Sequence, residues 1–525
     1  MTSAVSTGAG SNPNLAALTR ILTQILTRSN ISKALGAYFL YIVFKYRKSV
    51  YGIPTRTELP GPWCIPLLGN LYQMLMLPRN QLLQRQTLNH EKYGSYYAMT
   101  APGVGRMINI ADPEMVDHVL RANFWAYEKG PFLRTKLRPL IGEGIFGADG
   151  QHWKWQRKLA SHIFNVKAFR AYTSQVFCQE GYLVIDYLST MADRGDVVDL
   201  QEVFYKYTLD SFGEIAFGQS FGCLMKPGEE VPFATAFDRL NHTLSQRLMS
   251  PAIWAFKEWR DGSLGQVEKD TKIVDDFAYD VIRKRREQGP PEGHKDLMQL
   301  FMETHDEDGN PLSDEMLKDS LNNFILAGRD TTAQALSWMF YLMHRSGGDQ
   351  AIVKKLTEET DRVLQGGLPT YESTKQQKYA ESCFHEALRL YPSVPKNFKT
   401  CVEDDILPGG VRVYKGERIG WSSWAMGRSA AIWGPDAKEY KPERWLTGEK
   451  PSSAKFIAFH HGPRTCLGQQ FATIEAITLM AMLAQKFTFE LVEPSKEPAY
   501  YPSLTLPMAH GLPVRIKHRV DTPKA

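Results

Sequence analysis

Apolar residues at helical spacing dominate most of the chain. The pattern from 153 to about 302 predicts mainly helices, interrupted by the polar segment 287–296. Another helix is predicted from 314 to about 345, because Ser313 is a suitable N-cap and Gly347 stops the pattern. That helix would be about 50 Å long, so it must cross most of a globular domain.

Strand patterns are fewer and shorter. Alternating residues predict strands at 96–100 and 107–110, with a hairpin turn around Gly103 between them. No helix follows the Gly103–Val104–Gly105 triplet, so it is interpreted as part of the hairpin rather than as a dinucleotide-binding loop. The fold class predicted from this balance is mainly α with a small β lobe.

The first 66 residues have a pattern of their own. Apolar residues between 15 and 26 recur at helical spacing, which predicts an amphipathic segment over 1–30. A membrane anchor is predicted over 31–48, around the apolar run 34–44. This run is shorter than the ~17–25 residues of a bilayer-spanning helix, so it could span the membrane or only insert into it. Residues 49–66 are expected to form a proline-rich connector, and 67–525 the main globular domain.

The charges of this N-terminal region indicate on which side of a membrane the main domain lies. No acidic residue precedes Glu58, and Lys45, Arg47 and Lys48 directly follow the apolar run. The positive-inside tendency favours an endoplasmic reticulum anchor in contact with membrane lipid, with the main domain on the cytosolic side. A mitochondrial presequence is the alternative, since such segments are also basic and free of acidic residues.

Composition excludes several classes of protein. The 525 residues include 62 Lys and Arg against 57 Asp and Glu, a net charge of +5 that is too small to indicate nucleic-acid binding. The six cysteines are scattered without C-x-x-C pairs, so neither a zinc site nor a disulfide framework is predicted. A large globular domain in a reducing compartment fits this composition.

The most specific motif surrounds Cys466. Residues 459–468 read FHHGPRTCLG, and a helical pattern begins at Gln469. A helix starting there would direct its free amides and N-terminal dipole at the sulfur and favour the thiolate. A lone cysteine is otherwise more often a buried structural thiol. The segment resembles the haem loop of the cytochrome P450 family, F-x-x-G-x-R-x-C-x-G, at every fixed position.

This resemblance implies the cytochrome P450 fold and a haem b cofactor. Cys466 would be the axial ligand of the haem iron, and Phe459 would pack near its sulfur. The residues that would contact the haem propionates are Trp153, Arg157, Lys396 and Arg464. Lys396 stands where relatives often have arginine, and lysine lacks the two-pronged guanidinium geometry.

A second motif lies inside the long predicted helix. Residues 327–332 read AGRDTT and are similar to the oxygen-activation motif of the same family. Gly328 before two polar residues is unfavourable for a helix, so a local distortion is expected there. The resemblance implies that Thr331 hydrogen-bonds oxygen or a water and that Asp330 relays protons from solvent. Without Cys466, an exposed helical Asp–Thr pair would be the preferred interpretation.

The remaining motifs point to structure rather than chemistry. Glu386 and Arg389 are three residues apart on one predicted helix face, and Arg444 follows before the Cys466 motif. In the family that this order of motifs resembles, these three residues would form a buried ion network around the proximal core.

The resemblance also implies an activity. The family's monooxygenases use O2 to insert one oxygen atom into a C–H bond, with electrons from NADPH through a separate NADPH-cytochrome reductase. Segments 140–146, 327–333 and 467–472 are similar to the fungal branch that acts on alkanes and fatty acids. The expected lipophilic substrate is therefore a long-chain fatty acid or alkane, hydroxylated at or near its end. Pocket residues expected by resemblance, each equally suited to a core, are Phe132, Leu326, Val394 and Leu506.

Three alternatives stay open at this point. The substrate could be a steroid or another bulky secondary metabolite, because similar scaffolds accept both shapes. A haem-thiolate isomerase or dehydratase would share Cys466 and need no reductase, although the intact Asp330–Thr331 pair argues against it. A haem carrier or sensor would bind haem without turnover.

Overall fold

The computed structural model describes residues 28–45, 49–50, 52–76, 78–164, 167–225, 231–249, 254–290, 295–306, 309–501 and 503–520. The amphipathic segment predicted over 1–30 lies almost entirely outside these residues. The apolar run forms helix α1, Arg28–Lys45. In the described part of the chain, no helix is both long enough and apolar enough to cross a membrane.

The connector has the non-helical character that its prolines predict. It contains the paired strands β1, Ser49–Val50, and β2, Ile53–Pro54, and its described residues form no helix. The division of the chain into segment, anchor, connector and domain stays a prediction.

Helices make up most of the catalytic body, as the apolar pattern predicts. They are α2 Leu71–Met76, α3 Leu82–Tyr93, α4 Pro113–Asp117, α5 Gly130–Ile141, α6 Gly150–Phe164, α7 Lys167–Arg194, α8 Leu200–Phe217, α9 Pro232–Met249, α10 Trp254–Asp261, α11 Ser263–Gln288, α12 Leu297–Met302, α13 Asp314–His344, α14 Gln350–Leu364, α15 Tyr371–Gln376, α16 Lys378–Leu390, α17 Ser423–Gly427, α18 Ala430–Trp433 and α19 Gln469–Lys486. Short 3-10 turns lie at Arg79–Gln81, Phe124–Ala126, Pro442–Trp445, Ile457–Phe459 and Gly462–Arg464, and a π-helical turn at His118–Ala122.

The strands form small sheets beside the helices. The remaining strands are β3 Tyr96–Ala101, β4 Gly105–Ile110, β5 Tyr127–Glu128, β6 Val197–Asp199, β7 Asn397–Cys401, β8 Asp405–Leu407, β9 Val411–Val413, β10 Arg418–Trp421, β11 Phe487–Leu491 and β12 Pro513–His518. The largest sheet has the order β3-β4-β10-β7-β5, in which only β4 and β10 are parallel. The predicted hairpin is confirmed as the antiparallel pair β3 and β4.

The long predicted helix is confirmed as α13, with 31 residues. Ser313 caps it by accepting a hydrogen bond from the amide of Met316. The helical pattern continues through Gly328, so the interruption expected there does not occur. A Cβ at this position would instead lie 2.5 Å from Cδ2 of Phe212 on α8. The glycine therefore permits close packing of α13 on α8, its most extensive helix neighbour.

Helix α13 contributes to two apolar clusters of the core. Buried residues of α8, α13, α16 and α19 share one apolar cluster. A second cluster joins α5, α9 and α11 to the first half of α13. Because α19 begins directly after the Cys466 loop, this packing fixes the loop relative to the middle of α13.

Candidate active site

The Cys466 loop is held by its own backbone and by one glycine. The amide of Cys466 donates a hydrogen bond to the carbonyl of Phe459 at 2.8 Å. Gly462 has φ +68, and a Cβ there would collide with the backbone carbonyl of Leu120. Only glycine tolerates both the left-handed conformation and this close approach. The sequence motif therefore encodes a fixed loop shape as well as a thiol.

Phe459 lies on the core side of this loop. Its ring centre is 6.1 Å from that of Phe456 and 6.2 Å from that of His385. These edge-on contacts anchor the start of the loop to α16. The neighbouring His461 is buried and lies 2.8 Å from Asp117 through its Nε2.

The Cys466 side chain faces a cavity of about 280 Å³, which is also lined by Arg157 and Phe471. The thiol is accessible from this cavity, and most of the loop residues around it are half-buried. Burial raises the pKa of Cys466, while the amide of Gly468 and the charge of Arg157 act in the opposite direction. A soft metal ion bound here would replace the thiol proton.

Basic side chains gather beside this cavity. The guanidinium of Arg464 stacks on the ring of Trp153 at 4.4 Å and pairs with Asp149 at 2.9 Å. Its Nε is buried and has no hydrogen-bond partner among the described residues. Burial lowers the pKa of Arg464 to about 10.

Three more cations lie on the walls of cavities. Arg157 lines the Cys466 cavity, whereas Lys129 and Lys396 line a second cavity that is described below. Burial and the charge of Arg464 lower the pKa of Lys129 to about 7, although its ammonium donates to Asn397 at 3.2 Å. Burial likewise lowers the pKa of Lys396 and of Arg157. Such a cluster is costly unless an anionic group balances it.

Haem carries carboxylates at one edge and needs a thiolate at its iron. The orphaned Nε of Arg464, the under-balanced cations and the accessible thiol of Cys466 fit that cofactor. Lys129 was missed by sequence reasoning, because a lysine before Gly130 matches no motif; only the fold brings it next to Asn397.

Thr331 lies on the wall of a second, larger cavity of about 370 Å³. Its hydroxyl donates to the carbonyl of Ala327 at 2.7 Å, one helical turn back, and its own carbonyl accepts from Ser393 at 2.7 Å. The hydroxyl oxygen can therefore still accept a hydrogen bond from a group in the cavity.

Asp330 is buried behind Thr331 and is held from helix α9. Its Oδ2 accepts from the amide of Asn241 at 2.9 Å, and its Oδ1 lies 3.3 Å from the guanidinium of Arg329. Arg329 also pairs with the half-exposed Asp238, so this ion pair connects the site to the surface. Burial raises the pKa of Asp330 to about 6, against the effects of Arg329 and Asn241. A carboxyl with this pKa exchanges protons readily near neutral pH.

Glu386, Arg389 and Arg444 come together as the sequence predicts. Glu386 and Arg389 form a two-pronged pair at 2.7 and 2.8 Å with no side-chain exposure, and Arg444 reaches Glu386 at 3.4 Å. The indole of Trp445 donates to the same carboxylate at 2.9 Å. Arg389 also donates hydrogen bonds to the backbone carbonyls of Gly427, Ala437 and Glu439. The network joins α16 to the segment before the Cys466 loop.

The larger cavity has predominantly apolar walls. Three of the predicted pocket residues, Phe132, Leu326 and Val394, line it. Lining residues that sequence reasoning missed include Phe146, Leu248 and Thr505. They come from three distant segments, so their spacing along the chain carries no signal.

Leu506 occupies a different place from its neighbours. Its side chain is buried in the main core, while Ser503, Leu504 and Thr505 line the cavity. The amide of Leu506 donates to Gln334 at 2.7 Å, and its carbonyl accepts from Trp338 at 2.8 Å. These bonds direct the side chain of Leu506 into the core. Leu506 therefore does not line the cavity as expected, and instead fixes its loop on α13.

Comparison with known proteins agrees with this architecture. The family model described as Cytochrome P450 matches residues 59–512. Cytochrome P450 monooxygenase cyp1 of Mycosarcoma maydis is 38% identical over 91% of this chain and 78% of its own length. Cytochrome P450 86B1 of Arabidopsis thaliana is 35% identical over 86% and 83%, and cytochrome P450 94A2 of Vicia sativa is 30% identical over 92% and 96%.

The fold and the matches over most of the chain define a class of haem-dependent oxidoreductases. This chain belongs to the cytochrome P450 family, and its enzyme class is that of the monooxygenases. Membership implies a haem-thiolate with a cysteine ligand and electrons supplied by a reductase.

Proposed function

We propose that this protein is a haem-thiolate monooxygenase that hydroxylates a long-chain fatty acid or alkane at or near its terminus, with Cys466 as the iron ligand. The observation that carries the substrate class is the larger cavity. Its walls are predominantly apolar, Thr331 lies on them, and no carboxylate side chain among the described residues lines them. A flexible hydrocarbon chain suits such a cavity because burial of apolar surface favours binding without directional contacts.

The chain's own residues hold the cofactor and handle protons. Cys466 binds the iron, Phe459 supports the loop, and the propionates are held by Trp153, Arg157, Lys396 and Arg464. Haem supplies the redox chemistry of oxygen activation when bound. Asp330 takes protons from the surface through the region of Arg329 and Asp238, and Thr331 passes them on at its hydroxyl.

Electrons are proposed to come from a separate NADPH-cytochrome reductase at the endoplasmic reticulum membrane. Helix α1 supports attachment to that membrane, because several of its large apolar side chains are 63–67% exposed, namely Leu35, Tyr38, Phe39, Leu40 and Phe44. Removal of residues 1–48 should abolish co-flotation with phospholipid vesicles and leave the haem spectrum intact. Unchanged flotation, or recovery of the full chain with mitochondria, would contradict this location.

The test of the ligand is a pair of cysteine variants. Cys466→Ser should eliminate the thiolate signature in the visible spectrum of bound haem, because the hydroxyl is a weak iron ligand. Cys64→Ser is the matched control, since Cys64 is only half-buried and lines neither cavity described above. A thiolate spectrum that survives Cys466→Ser would refute the assignment.

The test of the substrate is a spectral titration of the ferric haem protein. Palmitic acid or hexadecane should convert the iron from low to high spin, and NADPH with reductase should then yield a terminally hydroxylated product. A spin shift with a steroid alone would replace the substrate assignment. Product formed without NADPH would instead indicate an isomerase or dehydratase.

A further inference from the structure

One wall of the larger cavity is a short segment of irregular backbone, residues 503–506, which we call the wall segment. It lies between Tyr500 and Met508, which form an antiparallel bridge at its base. The wall segment itself belongs to no helix or strand. Its residues that line the cavity are Ser503, Leu504 and Thr505. Because no sheet holds the wall segment, its position depends on side chains from neighbouring helices.

Gln334 of α13 makes two hydrogen bonds to the wall segment. Its Oε1 accepts from the backbone amide of Leu506 at 2.7 Å, and its Nε2 donates to the hydroxyl of Thr505 at 2.8 Å. The same nitrogen also donates to the hydroxyl of Tyr205 on α8 at 2.8 Å. Gln334 is only 1% exposed, so water does not readily replace a bond that is lost.

Two further side chains hold the wall segment. Nε1 of Trp338, one turn beyond Gln334 on α13, donates to the carbonyl of Leu506 at 2.8 Å. The hydroxyl oxygen of Ser245 on α9 accepts from the backbone amide of Leu504 at 3.1 Å. Helix α13 therefore binds both backbone groups of Leu506, and α9 holds the preceding part of the wall segment.

The position of Gln334 relates the wall segment to the oxygen-handling side of the cavity. Gln334 lies three residues after Thr331 on α13, and Thr331 lines the same cavity. Residues three apart are neighbours on a helix surface. Gln334 therefore fixes the wall segment directly beside Thr331. An alkyl chain makes no directional contacts, so the carbon that it presents for oxidation depends on where the wall lies.

We infer that Gln334 is a positioning residue that decides which carbon of the alkyl chain is hydroxylated, by fixing the wall segment on α13. This inference rests on the proposed function and deepens it. Gln334 is not among the residues that line the cavity, whereas Thr505 is. Gln334 therefore acts through the wall segment rather than through contact with the substrate.

The experiment compares the wild type with Gln334→Met, using the full-length haem protein, palmitic acid, NADPH and reductase. Methionine has a similar length and helix propensity but makes none of these hydrogen bonds. The ratio of terminal to subterminal hydroxylation, measured by mass spectrometry, should change by roughly 10-fold or more, because a displaced wall presents a different carbon. KM should stay close to the wild-type value, since burial of apolar surface is non-directional.

Gln201→Met is the matched control. Gln201 on α8 holds Met508 in the same way, since its Oε1 accepts from the amide of Met508 at 2.8 Å and its Nε2 donates to the carbonyl at 3.0 Å. Neither of these residues lines the cavity. This variant should lower the unfolding temperature about as much as Gln334→Met does, and should leave the product ratio unchanged. A purely structural role of Gln334 would give both variants the wild-type ratio.

The outcomes separate this inference from the proposed function. An unchanged ratio in Gln334→Met, or an equal change in Gln201→Met, overturns the inference, while hydroxylation of palmitic acid by the wild type still supports the function. If Gln334→Met does not retain haem, Ser245→Ala is measured instead, because it removes the bond to the amide of Leu504. A changed ratio then supports positioning by the wall segment, and an unchanged ratio overturns it. If the wild type hydroxylates no linear compound, the proposed function fails as well.

Discussion

Single residues in this protein have chemistry that depends on where the fold buries them. Asp330 illustrates this at the proton-delivery side of the site. Its carboxyl lies away from solvent between Asn241 and Arg329, and Asp238 lies beyond Arg329 at the surface. Tyr205 stacks near Arg329 and completes the surroundings.

Asp330→Asn should slow turnover and remove a pH dependence. Burial raises the pKa of Asp330 to about 6. The protonated fraction of this carboxyl therefore falls roughly tenfold for each pH unit above that value. We expect wild-type turnover with reductase to decrease between about pH 6 and 8, and the variant to be at least ~100-fold slower with a flat profile.

Asp238→Asn is the informative control for this prediction. The negative charge of Asp238 raises the pKa of Asp330, so its removal should move the profile to lower pH while the relay carboxyl remains. An Asp330→Asn variant with the wild-type profile would exclude a proton relay through this residue.

The packing of neighbouring elements depends on side-chain contacts that the sequence motifs do not reveal. Gly328 belongs to the recognised AGRDTT segment, yet its structural reason is the ring of Phe212 on the neighbouring helix. The network around Glu386 likewise joins α16 to Arg444 and Trp445, which lie 58 and 59 residues later.

Gly328→Ala should lower the free energy of unfolding by about 1–3 kcal/mol, because the added methyl group overpacks the α8–α13 contact. Urea unfolding measures this change, and Phe212→Leu in the same chain should recover part of it. Gly265→Ala is the matched control, since Gly265 lies in helix α11 with open space around it. That control should raise stability by up to about 1 kcal/mol.

Glu386→Gln should destabilise the protein by about 3–5 kcal/mol, because it leaves the buried guanidinium of Arg389 unbalanced. The control Glu358→Gln breaks an exposed pair with Lys354 at 3.8 Å and should change stability by less than about 1 kcal/mol. Equal effects of the two substitutions in urea unfolding would contradict the importance of the buried network.

The whole molecule combines a central helical core with two cavities that matter for the proposed function. One holds the thiol of Cys466, and the other holds Thr331 and the apolar wall. The charge of Arg464 opposes that of Lys129, and the charge of Arg157 opposes that of Arg464, so the stability of the protein should depend on the cofactor as much as on the core.

Removal of haem should lower the unfolding temperature by roughly 5–10 °C. Added salt should recover more stability in the haem-free protein than in the loaded one, because salt screens the repulsion among Lys129, Arg464 and their neighbours. Differential scanning calorimetry at low and high salt measures both effects. An identical salt response of the two forms would show that the cations are not balanced by the cofactor.

The sequence was sufficient for the main helices, the β3–β4 hairpin, the long helix α13 and the position of Cys466. Each of these depends on local information. Examples are helical spacing, an N-cap at Ser313, and a left-handed backbone conformation that favours glycine. Local signals also placed Glu386 and Arg389 on one helix face.

Tertiary structure alone decided the rest. It brought Lys129 next to Asn397 and close enough to Arg464 for the two charges to interact, and it directed the side chain of Leu506 into the core. The physical reason is that these contacts join residues distant in the chain, and their energies depend on burial and on the charges nearby. Neither quantity exists until the chain has folded.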